Sequence, residues 1–322
     1  MVKIQFLRFM RILGVAVLLI GYAVASVVAQ QRVTIAYSAV SPIMAGVWMA
    51  KETGAFERHG LKAELVYIAS GGTTVQAMIG GDLDMSVAAS NAVVSAILRG
   101  APLVAVGSLT NQPAMSFWVQ PEISNAEQLR GKVVGITRHG STTHFLTLAV
   151  LERLGLQDKV KLQPFGGTVE ADMAFRAGLM AGRVSSTKPD PKSHSLVDLP
   201  ELGIPFSMDL MAVKRDFNKT SPKSVEGMLR AYIEGVAALR KKDDAIKVLA
   251  KYLRARSDTL DAPYEYAVKY LERDPRVEPA VIQTVLDWEG KAGEPASRFF
   301  DNSAVERIAK EGFIDNLYKG AR

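Results

Sequence analysis

The residues of this chain best suited to chemistry are small, and they recur in one setting. Ser38 to Ser41, Ser70-Gly71-Gly72-Thr73-Thr74, Ser90-Asn91, Gly140-Ser141-Thr142-Thr143 and Gly166-Gly167-Thr168 each join an apolar, strand-like run to a helical one. At such a junction the first helical N–H groups have no partner inside the helix, and the helix presents its positive end. Small residues let a ligand come close to that end, and ligands of open α/β sheets sit at the carboxyl edge of the strands. One such junction is an ordinary cap. A series of them points to a binding cleft for a small polar or anionic molecule.

Catalytic sets are not found beside them. The four histidines are His59, His139, His144 and His194. His139 and His144 are five apart and cannot share one helix face as a zinc-binding His-Glu-x-x-His pair does. They read as a turn residue and a first-turn polar residue. No Gly-x-Ser-x-Gly elbow, phosphate-binding Gly-x-x-x-x-Gly-Lys-Ser/Thr loop or calcium loop occurs. Asp82 and Asp84 sit at a tight turn and read as turn and cap chemistry. Cysteine is absent, which removes disulfides, thiolate metal sites and cysteine nucleophiles together. No catalytic residue, cofactor or metal is expected.

The elements that must carry the junctions follow from the hydrophobic pattern. Short apolar strands at Val33 to Tyr37, Leu65 to Ile68, Met85 to Ala88, Leu103 to Val106, Met115 to Val119, Val133 to Ile136 and Val160 to Phe165 alternate with helical stretches. That alternation predicts an α/β fold of parallel sheets covered by helices. Ala77 to Asp84 has an echo in Leu179 to Ser185, each a helix that ends at glycine and turns into a strand. Two such units suggest two lobes with a cleft between them. From Ser221-Pro222 the pattern predicts a long helix through Lys242, with Val225, Leu229, Ile233 and Val236 as its buried stripe. Further helices follow as a C-terminal tail. Ser185 to Ser195 reads as an exposed polar loop. Trp48, inside the first helix, reads as core.

The chain has 322 residues, 48% of them hydrophobic and 22% charged, the balance of an ordinary globular protein. Its formal charge is +6. Lys3, Arg8 and Arg11 precede an uncharged, mostly apolar run from Ile12 to Val28, and Val27-Val28-Ala29 supplies the small residue that a signal peptidase needs. Residues 1–29 therefore read as an export signal cleaved near Ala29, the alternative being an uncleaved membrane anchor. Without that leader 36 basic residues face 33 acidic ones, too even a balance for nucleic acid, which needs a clustered basic footprint.

Several ordered motifs, the first two at the opening of the family's chains, resemble those of periplasmic solute-binding proteins of the nitrate/sulfonate/taurine type, which serve ABC importers. They are Ile35-Ala36-Tyr37, Trp48-Met49-Ala50-Lys51-Glu52-Thr53-Gly54-Ala55-Phe56-Glu57-Arg58-His59-Gly60-Leu61, Ser70-Gly71-Gly72, Gly81-Asp82-Leu83-Asp84, Arg99-Gly100-Ala101-Pro102-Leu103 and Leu129-Arg130-Gly131-Lys132-Val133-Val134-Gly135-Ile136. The resemblance covers about residues 31–250. It implies a type II periplasmic-binding fold whose two α/β lobes, joined by two crossovers, close on ligand. Lobe I is expected from 31–112 plus 211–322, and lobe II from 113–210. Carried over position by position, the pocket draws on Ser38, Ser41, Ser70, Gly71, Gly72, Ser90 and Asn91, faced by Gly140, Ser141, Thr142, Thr143, Gly167 and Thr168, with Arg138 available to an acidic group. The implied partners are a small ligand and the permease and ATPase of the importer, the implied location is the periplasm, and the protein is expected to be a monomer. The resemblance departs at Ser185 to His194, where Ser186-Thr187-Lys188-Pro189 stands in place of an acidic residue and a Ser-Pro-Pro-like loop. A sensory module feeding a membrane receptor would use the same pocket. An enzyme like the thiamine-pyrimidine synthases, which use a pyridoxal-phosphate lysine, a histidine and a cysteine-rich motif, is the other alternative.

Overall fold

A computed structural model describes residues 30–319; the expected export signal lies outside the described residues. Among the described residues there are ten strands: β1 Gln31–Tyr37, β2 Leu61–Tyr67, β3 Met85–Ala89, β4 Leu103–Ser108, β5 Ser116–Val119, β6 Val133–Ile136, β7 Lys161–Pro164, β8 Gly182–Ser185, β9 His194–Asp198 and β10 Asp209–Lys214. They form two five-stranded sheets, in the orders β2-β1-β3-β10-β4 and β7-β6-β8-β5-β9. Pairing is parallel where helices connect the strands, as in β1–β2, β1–β3, β6–β7 and β6–β8.

Both sheets are mixed, contrary to the parallel expectation. β10 runs antiparallel to β3 and β4, and β5 antiparallel to β8 and β9. Each of these strands is the first that the chain forms after passing from one sheet to the other, through 109–115 and 199–208. A parallel neighbour in the same sheet requires a long return connection, whereas a strand arriving from the other sheet enters from the opposite end. The two passages are bonded to each other. Ser108 Oγ lies 2.7 Å from Ser207 Oγ, Met208 N donates to Thr110 Oγ1 (3.1 Å), Phe206 N to Asn111 O (3.4 Å) and Leu109 N to Asp209 O (3.1 Å).

Helices α1 Ala45–Glu52, α2 Gly71–Gly80 and α3 Ser90–Leu98 follow strands of the first sheet, and α4 Thr142–Arg153 and α5 Thr168–Arg176 follow strands of the second. Beyond β10 and a short helix, α6 Pro222–Ala238 opens the tail. Its stripe Val225, Leu229, Ile233 and Val236 is buried as the spacing predicts. Gly235 lets α6 touch α1 backbone to backbone, since a Cβ there would lie 2.1 Å from Gly46 O. α6 stops at Ala238 rather than near Lys242, and α7 Lys242–Leu253 begins at once. The charge order Arg240-Lys241-Lys242-Asp243-Asp244 suits that break, with cations at one helix's negative end and acids at the next one's positive end. Trp48 is fully buried, stacked on Tyr252 at 4.8 Å. Among the described residues no helix is long and apolar enough to cross a membrane.

The stretch expected as an exposed loop is partly packed. Its end forms β9 on β5, and Pro189 and Ser193 are buried. Arg176 Nε donates to Pro189 O (2.7 Å) and Ser193 Oγ to Asp190 O (2.7 Å). Side-chain and backbone hydrogen bonds thus order a segment whose polarity resembles that of a solvated loop.

Candidate functional site

Strand ends of both sheets meet at one cleft. The space between its walls, including the part open to solvent, is about 550 Å³, and contacts between the walls narrow it. In this conformation there is room for a small head group and little more. Thr142 Oγ1 donates to Met208 O (3.1 Å) and Ser41 Oγ lies 2.7 Å from Ser186 Oγ, so contacts run from wall to wall.

The wall from the second sheet is a knot of hydroxyls. Thr137, Ser141 and Thr143 form a triangle with each Oγ–Oγ distance 2.9 Å, and Thr143 Oγ1 also accepts from Thr137 N. Ser141 is the N-cap of α4, accepting from His144 N (3.2 Å) and donating to Arg138 O (2.7 Å). Its hydroxyl is therefore committed to the protein, which leaves the unbonded N–H groups of the first turn to face a ligand. Gly140 enters that turn at φ +76°, which only glycine takes without strain. Gly167 begins α5 and donates its N–H to Glu170 Oε2 (3.1 Å). Arg183 of β8, 1% exposed, reaches Asp172 Oδ1 at 2.5 Å and Thr168 O at 3.4 Å through Nη1. Burial pushes the Asp172 carboxyl above its usual range, and the Arg183 and Arg176 charges offset part of that rise.

The wall from the first sheet is tighter. Gly71 passes so close to Ala89 that a Cβ would sit 2.4 Å from the Ala89 Cβ, so no larger residue fits. Ser70, before it, is held at φ +76°, a conformation that costs a residue with a side chain about 1–3 kcal/mol. Its N–H donates to Ser38 O (3.1 Å) and its carbonyl accepts from Thr74 N and Oγ1. Ser38 Oγ donates to Asp209 Oδ1 (3.0 Å). Burial pushes the Asp209 carboxyl up to about 7, with the Ser38 hydrogen bond pulling the other way.

Of the residues expected from sequence, Ser38, Ser41, Ser70, Gly71, Ser141, Thr142, Thr143, Gly167 and Thr168 line this cleft. Gly72, Asn91 and Gly140 border a separate crevice, where Asn91 Nδ2 donates to Gly140 O (2.7 Å) and ties the sheets together. Ser90 is buried at the start of α3, its hydroxyl without a partner among the described residues. Arg138 is exposed and donates to Gly166 O (3.3 Å). Sequence reasoning missed Thr137, Arg183, Ser185, Ser186, Met208 and Asp209 in the lining. Arg183 was readable in outline: it stands inside the second helix–glycine–strand echo, a lone charge in a strand between buried neighbours. His139 and His144 meet edge to face, with Gly140 N donating to His144 Nδ1 (3.1 Å), and burial lowers the His144 pKa. Among the described residues no cluster could hold a metal ion.

The NMT1/THI5-like family model matches residues 41–246. A putative thiamine biosynthesis protein of Haemophilus influenzae is 27% identical over 150 residues, 46% of each chain, so this chain spans about half the length of the curated relative it matches. Among solved structures, the alkanesulfonate-binding protein SsuA of Xanthomonas axonopodis pv. citri, bound to MOPS, has a TM-score of 0.70 at 19% identity, covering 85% of this chain and 97% of that one. The periplasmic nitrate-binding protein NrtA of Synechocystis PCC 6803 also has 0.70, at 11% identity and 90% and 91% coverage. The desulfurization enzyme DszB has 0.60, at 14% identity and 87% and 100% coverage. At such identities the likeness is one of fold: this chain has the α/β fold of periplasmic binding proteins, with C-terminal helices.

Proposed function

The chain belongs to the NMT1/THI5-like family, and from that premise we propose that it is an exported solute-binding protein which captures a small polar or anionic molecule and presents it to an ABC importer. The observation that carries the reading is the cleft itself: two walls from two sheets, lined by hydroxyls, helix starts and one buried arginine. In this reading residues 31–112 with 211–322 form one lobe and 113–210 the other. Ligand is held between them, residues 1–29 direct the chain to the periplasm, and the partner is a permease with its ATPase. The sulfonate- and nitrate-binding relatives of the same fold support it.

The test is a thermal-shift screen of residues 30–322 against nitrate, alkanesulfonates, amino acids, aminosulfonates and pyrimidines, followed by calorimetry. One class is expected to raise the melting temperature saturably, with a stabilisation of about 2.7 kcal/mol at a hundredfold excess over Kd. A flat response across every class would overturn the proposal.

A further inference from the structure

The cleft contains a charge that its hydroxyl-rich walls do not explain. Asp209 is 4% exposed, and its carboxylate accepts one hydrogen bond from the protein, the Ser38 hydroxyl on Oδ1. Among the described residues nothing donates to Oδ2, although the side chain lines the cleft. Burial is the main influence on its ionisation; among the described residues Ser38 is the one counterweight, and no basic side chain lies close enough to help. Behind it, Tyr232 and Tyr266 are buried phenols that respond to its charge and bring no cation. Arg183, the other ionic group of the lining, is already engaged by Asp172. With Asp209 ionised, these three groups sum to one negative charge.

Above pH 7, where Asp209 is ionised, a plain oxyanion such as nitrate or an alkanesulfonate meets that carboxylate as like charge in a poorly hydrated place, where repulsion is strongest. A protonated nitrogen does the reverse. It donates to the free oxygen and cancels the charge, making a charge-assisted hydrogen bond. Resting on the solute-binding reading, we infer that Asp209 is a specificity-determining residue that receives a protonated nitrogen of the ligand, while the ligand's acidic end faces the Arg183 wall. The ligand class is a small zwitterion with an amine a few bonds from a carboxylate or sulfonate.

Matched probes isolate the nitrogen. Calorimetry at pH 8, where Asp209 is ionised, compares β-alanine with propionate, and 3-aminopropanesulfonate with 1-propanesulfonate, on the wild type and on Asp209→Asn. The variant keeps an acceptor for Ser38 and removes the charge. In the wild type the amine-bearing member of a pair is expected to bind about tenfold to a hundredfold tighter. In Asp209→Asn that preference should collapse to within about twofold, while the ligand-free variant melts no lower than the wild type at pH 8. The pair that responds identifies the acidic end. Equal binding within the pairs, a preference that survives in Asp209→Asn, or binding of neither pair overturns the inference. If nitrogen-free anions of the wider screen bind in its place, the solute-binding reading stands without it; if no compound of that screen binds, both fall.

Discussion

The two walls of the cleft are made of similar residues and stand in different electrostatic states. On the second-sheet wall, Thr137, Ser141 and Thr143 satisfy one another, and Arg183 is matched by Asp172. On the first-sheet wall a strained Ser70 and a crowded Gly71 line the cleft with Asp209, whose charge, among the described residues, only Ser38 addresses. One wall is complete without a ligand; the other is left one cation short. A buried polar group costs little when it is paired and much when it is not, so the incomplete wall is where a ligand can gain most.

The largest effect should come from breaking the matched wall. Asp172→Ala leaves the Arg183 guanidinium buried without its counter-charge, and an orphaned buried charge costs about 3–5 kcal/mol. Chemical denaturation at pH 7 should show that loss; a change under 1 kcal/mol would mean that solvent reaches Arg183 and that the wall is not closed.

The unmatched wall should respond in the opposite direction. The Asp209 carboxyl titrates near 7 in the folded protein and near 3.9 when unfolded. Below pH 4 both states are protonated and the residue exacts no penalty. As pH rises from 4 to 7 the unfolded state ionises first, so the native state loses relative stability, and above 7 the loss is constant. At about 1.4 kcal/mol per tenfold difference in proton affinity, the ceiling is roughly 4 kcal/mol. Asp209→Asn should therefore be more stable than the wild type at pH 8, by about 2 kcal/mol or more, with the difference vanishing near pH 4. Melting curves across that range check it, and a variant less stable at pH 8 would show that the carboxylate is compensated after all.

The smallest effect probes the hydroxyl knot. Ser141→Ala removes a cap and three further hydroxyl contacts, to Arg138 O, Thr137 and Thr143, and should cost about 1–2 kcal/mol. Because that hydroxyl is committed to the protein, affinity for whatever ligand the screen finds should fall less than about threefold once folding is accounted for. A larger fall would show that the knot reopens to hold ligand.

The pattern of what was legible follows from what each signal depends on. Strand–helix alternation and the α6 stripe are local, and both appear in the structure, with α6 ending a few residues early at a charge boundary. The junction residues Ser70-Gly71 and Gly140 to Thr143 were also legible, because a helix start after a strand announces itself in glycine and hydroxyls. Strand direction was not, since β5 and β10 owe theirs to passages between sheets that no periodicity marks. Asp209 stayed hidden for the same reason. It follows a short linker, no motif surrounds it, and its meaning comes from Ser38, far away in sequence. Ser90 and Asn91 have the composition of a binding junction, yet Ser90 is buried and Asn91 faces another crevice, because composition does not say which side of a helix start is open.

The two chain passages between the sheets are fastened to each other along their length. Two separate threads would let the bodies they connect swing in any direction; threads joined side by side act as one strip, which bends and twists but resists stretching and shear. In the proposed binding role, that fastening leaves less ordering to be lost on capture of a ligand. Asp209 stands at the end of that strip, its carbonyl held by Leu109 N and its carboxylate turned to the cleft. In the binding role proposed above, a ligand that reaches the carboxylate also takes hold of the strip that joins the sheets.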